Sequence, residues 1–420
     1  MASYWLDTAP SFTAGERGGV EGRADVAVVG AGFTGLAAAH ALASRGAKVV
    51  VLEADRVVGQ ASGRNGGQCN NGAHHDYGYL LQRFGPERAA AYYKEHTLAV
   101  DAVEKLVIDE AIDCEFRRCG RMKLAAKPEH FAGIARAYER LRDVDPDLVL
   151  VPPQRIREEV GSDAFFGGMI QTRSAQLHVG RFGVGLAEAA VRRGARIHEH
   201  APVAAIQRRP GGGRRLVTPR GALDADQVFI ASGATTPFGW FRRRIIPIGS
   251  FIIATEPLSR ELIATLLPNR RNYVTSRVIG NFFRLTPDDR LLFGGRARFA
   301  MSNPTSDAKS GEILRAAMRE MFPALADVRV DYCWGGLLDM TSDRLPRAGE
   351  HDGLFYAMGF SGHGVQMTIR TGQKMAEVMS GAAEANPWRD LDWPAVPGHF
   401  GPPWFLPLVG AWYRLQDRLH

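Results

Sequence analysis

The thirty residues from Ala24 to Glu53 carry the strongest constraint on how this chain folds. Residues 24–29 form a short apolar run, and Gly30-Ala31-Gly32-Phe33-Thr34-Gly35 follows at once. Residues 36–43 are Ala-rich and read as a helix. Gly46 ends it, residues 48–52 read as a second strand, and Glu53 closes the unit. Strand, glycine turn, helix, strand and acid in that order make the βαβ unit that holds a dinucleotide. Gly30 permits the tight turn, Gly32 leaves room for a pyrophosphate against the backbone, and Gly35 lets the helix pack closely on its strand. The N–H groups around Phe33 and Thr34, with the positive end of the helix dipole, face the phosphates. Glu53 stands where a carboxylate accepts a hydrogen bond from a ribose 2′-hydroxyl and repels a 2′-phosphate.

A second loop, residues 57–68, is rich in small residues around Arg64 and Asn65. With so little bulk at Gly66 and Gly67 it can lie against a flat ring system, and Ser62, Arg64, Asn65 and Gln68 supply polar groups. Standing alone, its lesser reading is a flexible surface linker. Ser232 and Gly233 end a later strand-like run and let backbone approach a dinucleotide a second time. The third signal is Gly359-Phe360-Ser361-Gly362-His363-Gly364-Val365-Gln366, a strand end, a glycine turn and a helix start. That helix N-terminus is offered to partial negative charge. Two readings stay open for His363: a donor to that charge, or a cap of the turn.

A chain of 420 residues is long enough for two or more domains. Its 45% hydrophobic and 23% charged residues are those of a soluble globular protein. The net charge of +7 comes from scattered arginines, with Arg242-Arg243-Arg244 the densest run and no aromatic-interleaved basic stripe. That pattern suits anionic small molecules rather than nucleic acid. No apolar run is long enough to span a membrane, and residues 1–10 lack a basic segment followed by an apolar one, so no secretory signal is expected. The four cysteines, Cys69, Cys114, Cys119 and Cys333, have neither disulfide nor metal-ligand spacing. They are expected to be reduced thiols in a cytoplasmic protein with no metal.

Apolar spacing predicts helices at 87–110, 129–144, 181–193, 311–321 and 365–379. Alternation at 245–255, 272–278, 281–286 and 290–293 predicts an antiparallel block. The Pro- and Trp-rich tail from 386 is expected to pack its aromatic residues inward. Oligomeric state is not legible here.

Together these motifs resemble the FAD-dependent amine and amino-acid oxidoreductases of the D-amino-acid-oxidase type. The resemblance runs nearly end to end. Within the family it is strongest to the gamma-glutamylputrescine oxidase branch, through residues 61–68, 285–286, 290–295 and 334–336, Asp339, residues 344–346 and 359–365, and the tail at 413–419. It implies an α/β plus α+β architecture, a Rossmann-like FAD-binding domain with a second, antiparallel-sheet substrate domain. The implied segments are an arm at 1–23, FAD-binding parts at 24–76, 151–240 and 331–385, a helical substrate segment at 77–150, the antiparallel substrate domain at 241–330, and a tail at 386–420 packed on the body. By the same resemblance Gly30, Gly32, Gly35 and Glu53 hold the ADP half. Ser62, Arg64, Asn65, Gly66, Gly67 and Gln68 line the pyrophosphate and flavin. Val203 reaches the adenine by its backbone, Ser232 and Gly233 the ribityl chain, and Gly362, His363, Gly364, Val365 and Gln366 the pyrimidine edge.

The implied reaction oxidises a C–H bond next to an amine nitrogen by hydride transfer to flavin N5. The imine product hydrolyses to an aldehyde and ammonia, with hydrogen peroxide formed where oxygen is the acceptor. The small-molecule amine must be neutral to react, and an aromatic wall that desolvates it lowers its pKa. Tyr273, Phe282, Phe283 and Trp334 are the candidates, each equally readable as ordinary core. Arg284 and Arg296 are candidates to hold a remote substrate carboxylate, or to serve the structure. Two departures matter. Gln366 stands where sarcosine-type oxidases carry a lysine for the substrate carboxylate, which argues against a plain N-methyl amino acid. Leu291-Leu292 has no lysine where those enzymes have one that promotes reaction with oxygen, so oxygen and another electron acceptor both stay open. Cys333 lies in the strand region through which some of those enzymes attach flavin. The rival readings are an amino- or imino-acid oxidase or dehydrogenase with another substrate, and a non-catalytic flavin-binding partner protein. An NAD-dependent dehydrogenase is disfavoured by the second loop.

Overall fold

The structure is a computed structural model that describes residues 3–295 and 299–419. Arg296 therefore lies outside the described residues. The chain begins with α1 (Tyr4–Thr8), β1 (Arg23–Val29), α2 (Phe33–Ala43) and β2 (Val49–Leu52). Next come α3 (Pro86–Asp109), β3 (Arg121–Leu124), β4 (Leu148–Val151) and β5 (Gly168–Gln171). α4 (Val179–Arg192), β6 (Arg196–His198), β7 (Ala205–Arg208), β8 (Arg214–Thr218) and β9 (Gly221–Ile230) follow. Then come β10 (Ile246–Pro257), β11 (Asn272–Thr275), β12 (Asn281–Leu285), β13 (Arg290–Gly295), α5 (Pro304–Met321) and β14 (Val330–Met340). The described chain ends with β15 (Arg347–His351), β16 (Leu354–Met358), α6 (Gly364–Met379) and α7 (Leu406–Leu419).

These strands form two large sheets. The first runs β7-β8-β9-β1-β2-β6, with β16 on β9 and β15 on β16. Its centre is parallel: β16, β9, β1, β2 and β6 all point the same way. The apolar strands β1 and β2 are buried on both faces near the glycine turn, as befits a parallel sheet covered by helices. The second sheet runs β14-β10-β13-β12-β11-β3-β5-β4, antiparallel except where β11 meets β3. This is the expected pairing of a Rossmann-like domain with an antiparallel one.

Two expectations about segments need correction. β5 falls in the stretch 151–240 and β14, from its second residue on, in 331–385, yet both pair in the second sheet. The breaks expected at 150/151 and 330/331 thus fall inside that sheet, because apolar alternation does not say which sheet a strand joins. α5 starts at Pro304 rather than near 311, with Asn303 accepting the Ser306 N–H at 2.9 Å. Its first turns are polar and escaped the apolar spacing.

The second sheet has two different faces. Met122, Leu124, Tyr273, Phe283 and Phe293 pack on α5 in one core. One residue over on each strand, the opposite face carries Trp334, Ile252, Gly294, Phe282, Val274 and Lys123 in a single cross-strand row. That row meets the second glycine loop, since a Cβ on Gly66 would lie 2.7 Å from the Phe282 ring. The four candidate wall residues are therefore split. Phe282 and Trp334 face the loop, whereas Tyr273 and Phe283 stack 5.0 Å apart in the core behind.

The tail is only half packed. Leu406 is buried and Phe405, Val409 and Tyr413 lie on Ile248, Phe299 and Met340. Trp388 and Trp393 turn inward as expected, whereas Trp404 and Trp412, with Leu408, are exposed. Among the described residues no helix is long and apolar enough to cross a membrane.

Candidate active site

β1 delivers the chain to Gly30, whose φ of +107° is open to glycine. A Cβ there would also lie 2.7 Å from the Ala231 carbonyl oxygen. α2 then starts at Gly32 without a side-chain cap. Ser62 closes over this start, its Oγ accepting the Phe33 N–H at 3.0 Å. Thr34 is buried beside it, and the Phe33 ring turns into the core against Phe182. Glu53 ties the turn together: Oε2 accepts the Ala31 N–H at 2.6 Å and Oε1 the Asp55 N–H at 2.8 Å. Burial holds its carboxyl above the usual range, and each oxygen keeps a lone pair for a ribose hydroxyl. The Ala201 N–H donates to the Glu53 carbonyl at 2.7 Å, which brings the run containing Val203 alongside.

The second loop is held from three sides. Asn65 Nδ2 donates to the Ser62 carbonyl at 2.8 Å, and Oδ1 accepts the Gly67 N–H at 2.8 Å. Arg64 donates to the carbonyls of Gly59 and Gly335, each at 3.0 Å, and its own carbonyl accepts Trp334 Nε1 at 2.9 Å. Gln68 Nε2 reaches the Phe283 carbonyl at 3.2 Å. From the N-terminal arm, the fully buried Trp5 donates its Nε1 to the Asn65 carbonyl at 2.7 Å. Nothing in the composition of the arm suggested that role. Arg284 is buried, donates to the Gly67 carbonyl at 2.7 Å and stacks 5.0 Å from the Trp5 ring. It braces the loop from within, in place of the expected contact with a substrate carboxylate. Burial pulls its guanidinium down to about 10.

The third motif is positioned by a residue whose role the sequence did not disclose. Asp339, on β14, accepts the Gly359 N–H at 2.7 Å through Oδ2, and its backbone carbonyl accepts the Ser361 N–H at 3.1 Å. This pins the turn whose φ values at Gly359, Ser361 and Gly362 are all positive. α6 then starts at His363, whose side chain does not cap the helix. His363 Nδ1 is buried without a hydrogen-bond partner, and so is Ser232 Oγ at the end of β9 beside Gly233. Burial, with the charge of Arg121, pushes His363 down to about 3, so the ring is neutral at ordinary pH. Gly364 and Val365 form the first turn of α6. Gln366 is buried and donates to the Asn70 carbonyl at 2.5 Å, while Asn70 Oδ1 accepts Asn272 Nδ2 at 2.8 Å. Asn70 thus links α6 to the second sheet. The polar run Gln68-Cys69-Asn70-Asn71 just past the glycine loop was the available signal for it.

Burial also pushes the Asp339 carboxyl up to about 6 from its ordinary 3.8. Between those values the folded chain holds a proton that the unfolded chain has released. The stability from this group is complete below the window and is lost as pH rises through it. Asp339→Asn cannot titrate. Its unfolding midpoint is expected to rise relative to the parent between about pH 4 and pH 7. A constant difference across that range would contradict this.

The parts fit one extended ligand. Two helices begin at glycine turns where the N-cap residue itself supplies no side-chain cap, with Ser62 covering only the Phe33 N–H of the first, and two buried polar atoms lack partners. An FAD has a pyrophosphate for the first helix and a polar pyrimidine edge for the second. Cys333 stands apart from this arrangement. Its Sγ lies 3.3 Å from the Asp307 carbonyl and it packs on Gly311 of α5, on the face opposite Trp334. It is not placed for flavin attachment. Among the described residues no group of three or more metal-ligating side chains occurs.

Comparison with known proteins agrees with this geometry. The family model for DAO, FAD dependent oxidoreductase, matches residues 25–378. The chain is 31% identical over 405 residues to gamma-glutamylputrescine oxidoreductase of Escherichia coli, covering 94% of this chain and 93% of that one. It is 32% identical over 370 residues to the probable oxidoreductase OrdL of Haemophilus influenzae, covering 86% and 84%. Among solved structures, glycine oxidase from Geobacillus kaustophilus superposes with a TM-score of 0.74 at 22% identity, over 90% of this chain and 99% of that one. The chain belongs to the DAO family of FAD-dependent oxidoreductases, enzymes that act on amine and amino-acid donors.

Proposed function

We propose that this enzyme oxidises the carbon next to an amine nitrogen in a gamma-glutamylputrescine-like substrate, giving an imine that hydrolyses to an aldehyde and ammonia. The observation that carries the reading is the 31% identity, spread over 94% of the chain, to an enzyme of that name. Gln366 supports it: a neutral amide, buried and committed to the Asn70 carbonyl, it offers no positive charge to an α-carboxylate.

FAD, when bound, supplies the hydride acceptor. The protein's residues do the rest. The N-termini of α2 and α6 offer dipoles and N–H groups to the pyrophosphate and to the edge where negative charge develops. His363, neutral and unpartnered at Nδ1, is a donor for that edge. Phe282 and Trp334 form the apolar wall toward the glycine loop. Such a wall lowers the pKa of an amine it desolvates, which frees the nitrogen lone pair without a strong base. Leu291-Leu292 offers no lysine toward oxygen, so the acceptor is assigned by experiment.

The test is anaerobic. Gamma-glutamylputrescine added to the purified yellow protein is expected to bleach the oxidised flavin band, while sarcosine and glycine leave it unchanged. Readmitted air then distinguishes oxygen from another carrier. Bleaching by glycine or proline but not by gamma-glutamylputrescine would replace this reading with amino- or imino-acid oxidation.

A further inference from the structure

Arg121 and Lys123 lie side by side on β3, on the face that also carries Phe282 and Trp334. Their neighbours Met122 and Leu124 enter the core on the other side. Both cations are half-buried, and proteins normally pair such charges because desolvating them alone is costly. Just upstream, Arg118 is paired with both Asp101 and Glu104. Among the described residues, Arg121 and Lys123 have no carboxylate partner. Arg121 donates to Gln171 Oε1 and its Nε is buried and unpartnered. The Lys123 side chain has no hydrogen-bond partner among the described residues. The carboxylate whose field reaches it, Asp76, is engaged in capping the Tyr79 N–H at 2.9 Å.

Their surroundings are those of the site. Arg121 pairs in register with Asn272 and Gln171. Asn272 holds Asn70, which Gln366 holds from α6, and Gly72 packs against Gln171. The charge of Arg121 also reaches His363. Lys123 is two strands from Phe282, roughly 10 Å along the sheet.

We propose that Arg121 and Lys123 form a carboxylate-binding subsite that selects amines carrying a remote carboxylate. Two cationic donors on one strand face suit a carboxylate. The separation from Phe282 suits one several bonds from the reacting carbon and leaves an α-amino acid, with both groups on one carbon, unable to span it. The proposal rests on the amine-oxidising reading above.

The experiment uses the FAD-loaded full chain and compares the parent with Lys123→Met, Lys123→Arg and Arg121→Gln. The ratio of kcat/KM for gamma-glutamylputrescine to that for putrescine, which lacks the carboxylate, is expected to fall about 10- to 100-fold in Lys123→Met through KM. Lys123→Arg is expected to restore most of it, and Arg121→Gln to lower it independently. An unchanged ratio in both charge-removing variants, with normal flavin content, overturns the proposal. Glutarate titration, followed by the flavin absorbance, gives a second readout. The parent is expected to bind it and the charge-removing variants to bind about tenfold or more weakly. Equal binding by all overturns the subsite. If no amine reduces the parent, the functional reading fails, and the glutarate titration still decides the subsite.

Discussion

Gly35→Ala is expected to yield a colourless protein that has lost nearly all of its FAD. A Cβ at this position would stand 1.9 Å from the Gly30 carbonyl oxygen and 3.1 Å from Val28 Cγ1. The first clash is with backbone at the apex of the glycine turn, so no side-chain rotation relieves it. α2 must lift off β1, and the turn that presents N–H groups to the pyrophosphate moves with it. Overpacking of this kind costs about 1–3 kcal/mol in stability. The larger consequence is for the ligand, because the turn and the helix start recognise it as one rigid unit. Gly46→Ala is the control. It lies just beyond the other end of the same helix with φ +88° and open space around it. It is expected to cost about 1 kcal/mol through its backbone conformation alone and to keep its flavin. Flavin absorbance per protein and the thermal midpoint measure both effects. A yellow Gly35→Ala protein of normal stoichiometry would refute the close-approach argument.

Trp334→Ala is expected to lower stability by about 3–5 kcal/mol, a large share of what a folded domain has. Trp334 is fully buried in the row that joins the second sheet to the glycine loop. Its removal leaves a cavity beside Ile252 and frees the Arg64 carbonyl, which now accepts Nε1 at 2.9 Å. Arg64 also bonds Gly335 on the same strand, so the loop loses one of its anchors to β14. FAD affinity is expected to fall with stability, since this loop is one wall of the site. Trp334→Phe separates the two contributions. It keeps most of the bulk and loses the N–H, at a cost of about 1 kcal/mol. Urea unfolding and a flavin-release titration on both variants check this. Equal losses in the two would place the effect in the hydrogen bond rather than in packing.

These two positions differ in how far the sequence discloses them. Gly35 is legible because its partners, Gly30 and Val28, lie within one turn of chain, and the spacing itself describes the geometry. Glu53 and the Gly359–Gln366 motif are legible for the same reason: a local conformation dictates the residue type. Trp334 carried no such mark. Whether it faces the glycine loop or the core depends on strand register, and Phe282 and Phe283, adjacent in sequence, end on opposite faces. One residue of register decides which is site and which is core. The same dependence hid the inward contacts of Arg284, the reach of Trp5 from the N-terminal arm, and the placement of Arg121 and Lys123.

The sequence by itself determined the dinucleotide-binding unit, the second loop and the helix-start motif, and with them the family and its cofactor. Each of those is a short-range pattern in which glycine conformation and a neighbouring helix dipole do the work. Tertiary structure alone decided which strands join which sheet, which side of the second sheet meets the cofactor loop, and which cations have no carboxylate in ion-pair contact among the described residues. Those outcomes depend on pairings between residues far apart in the chain, and alternation along a single strand is equally compatible with either face until its partners are in place.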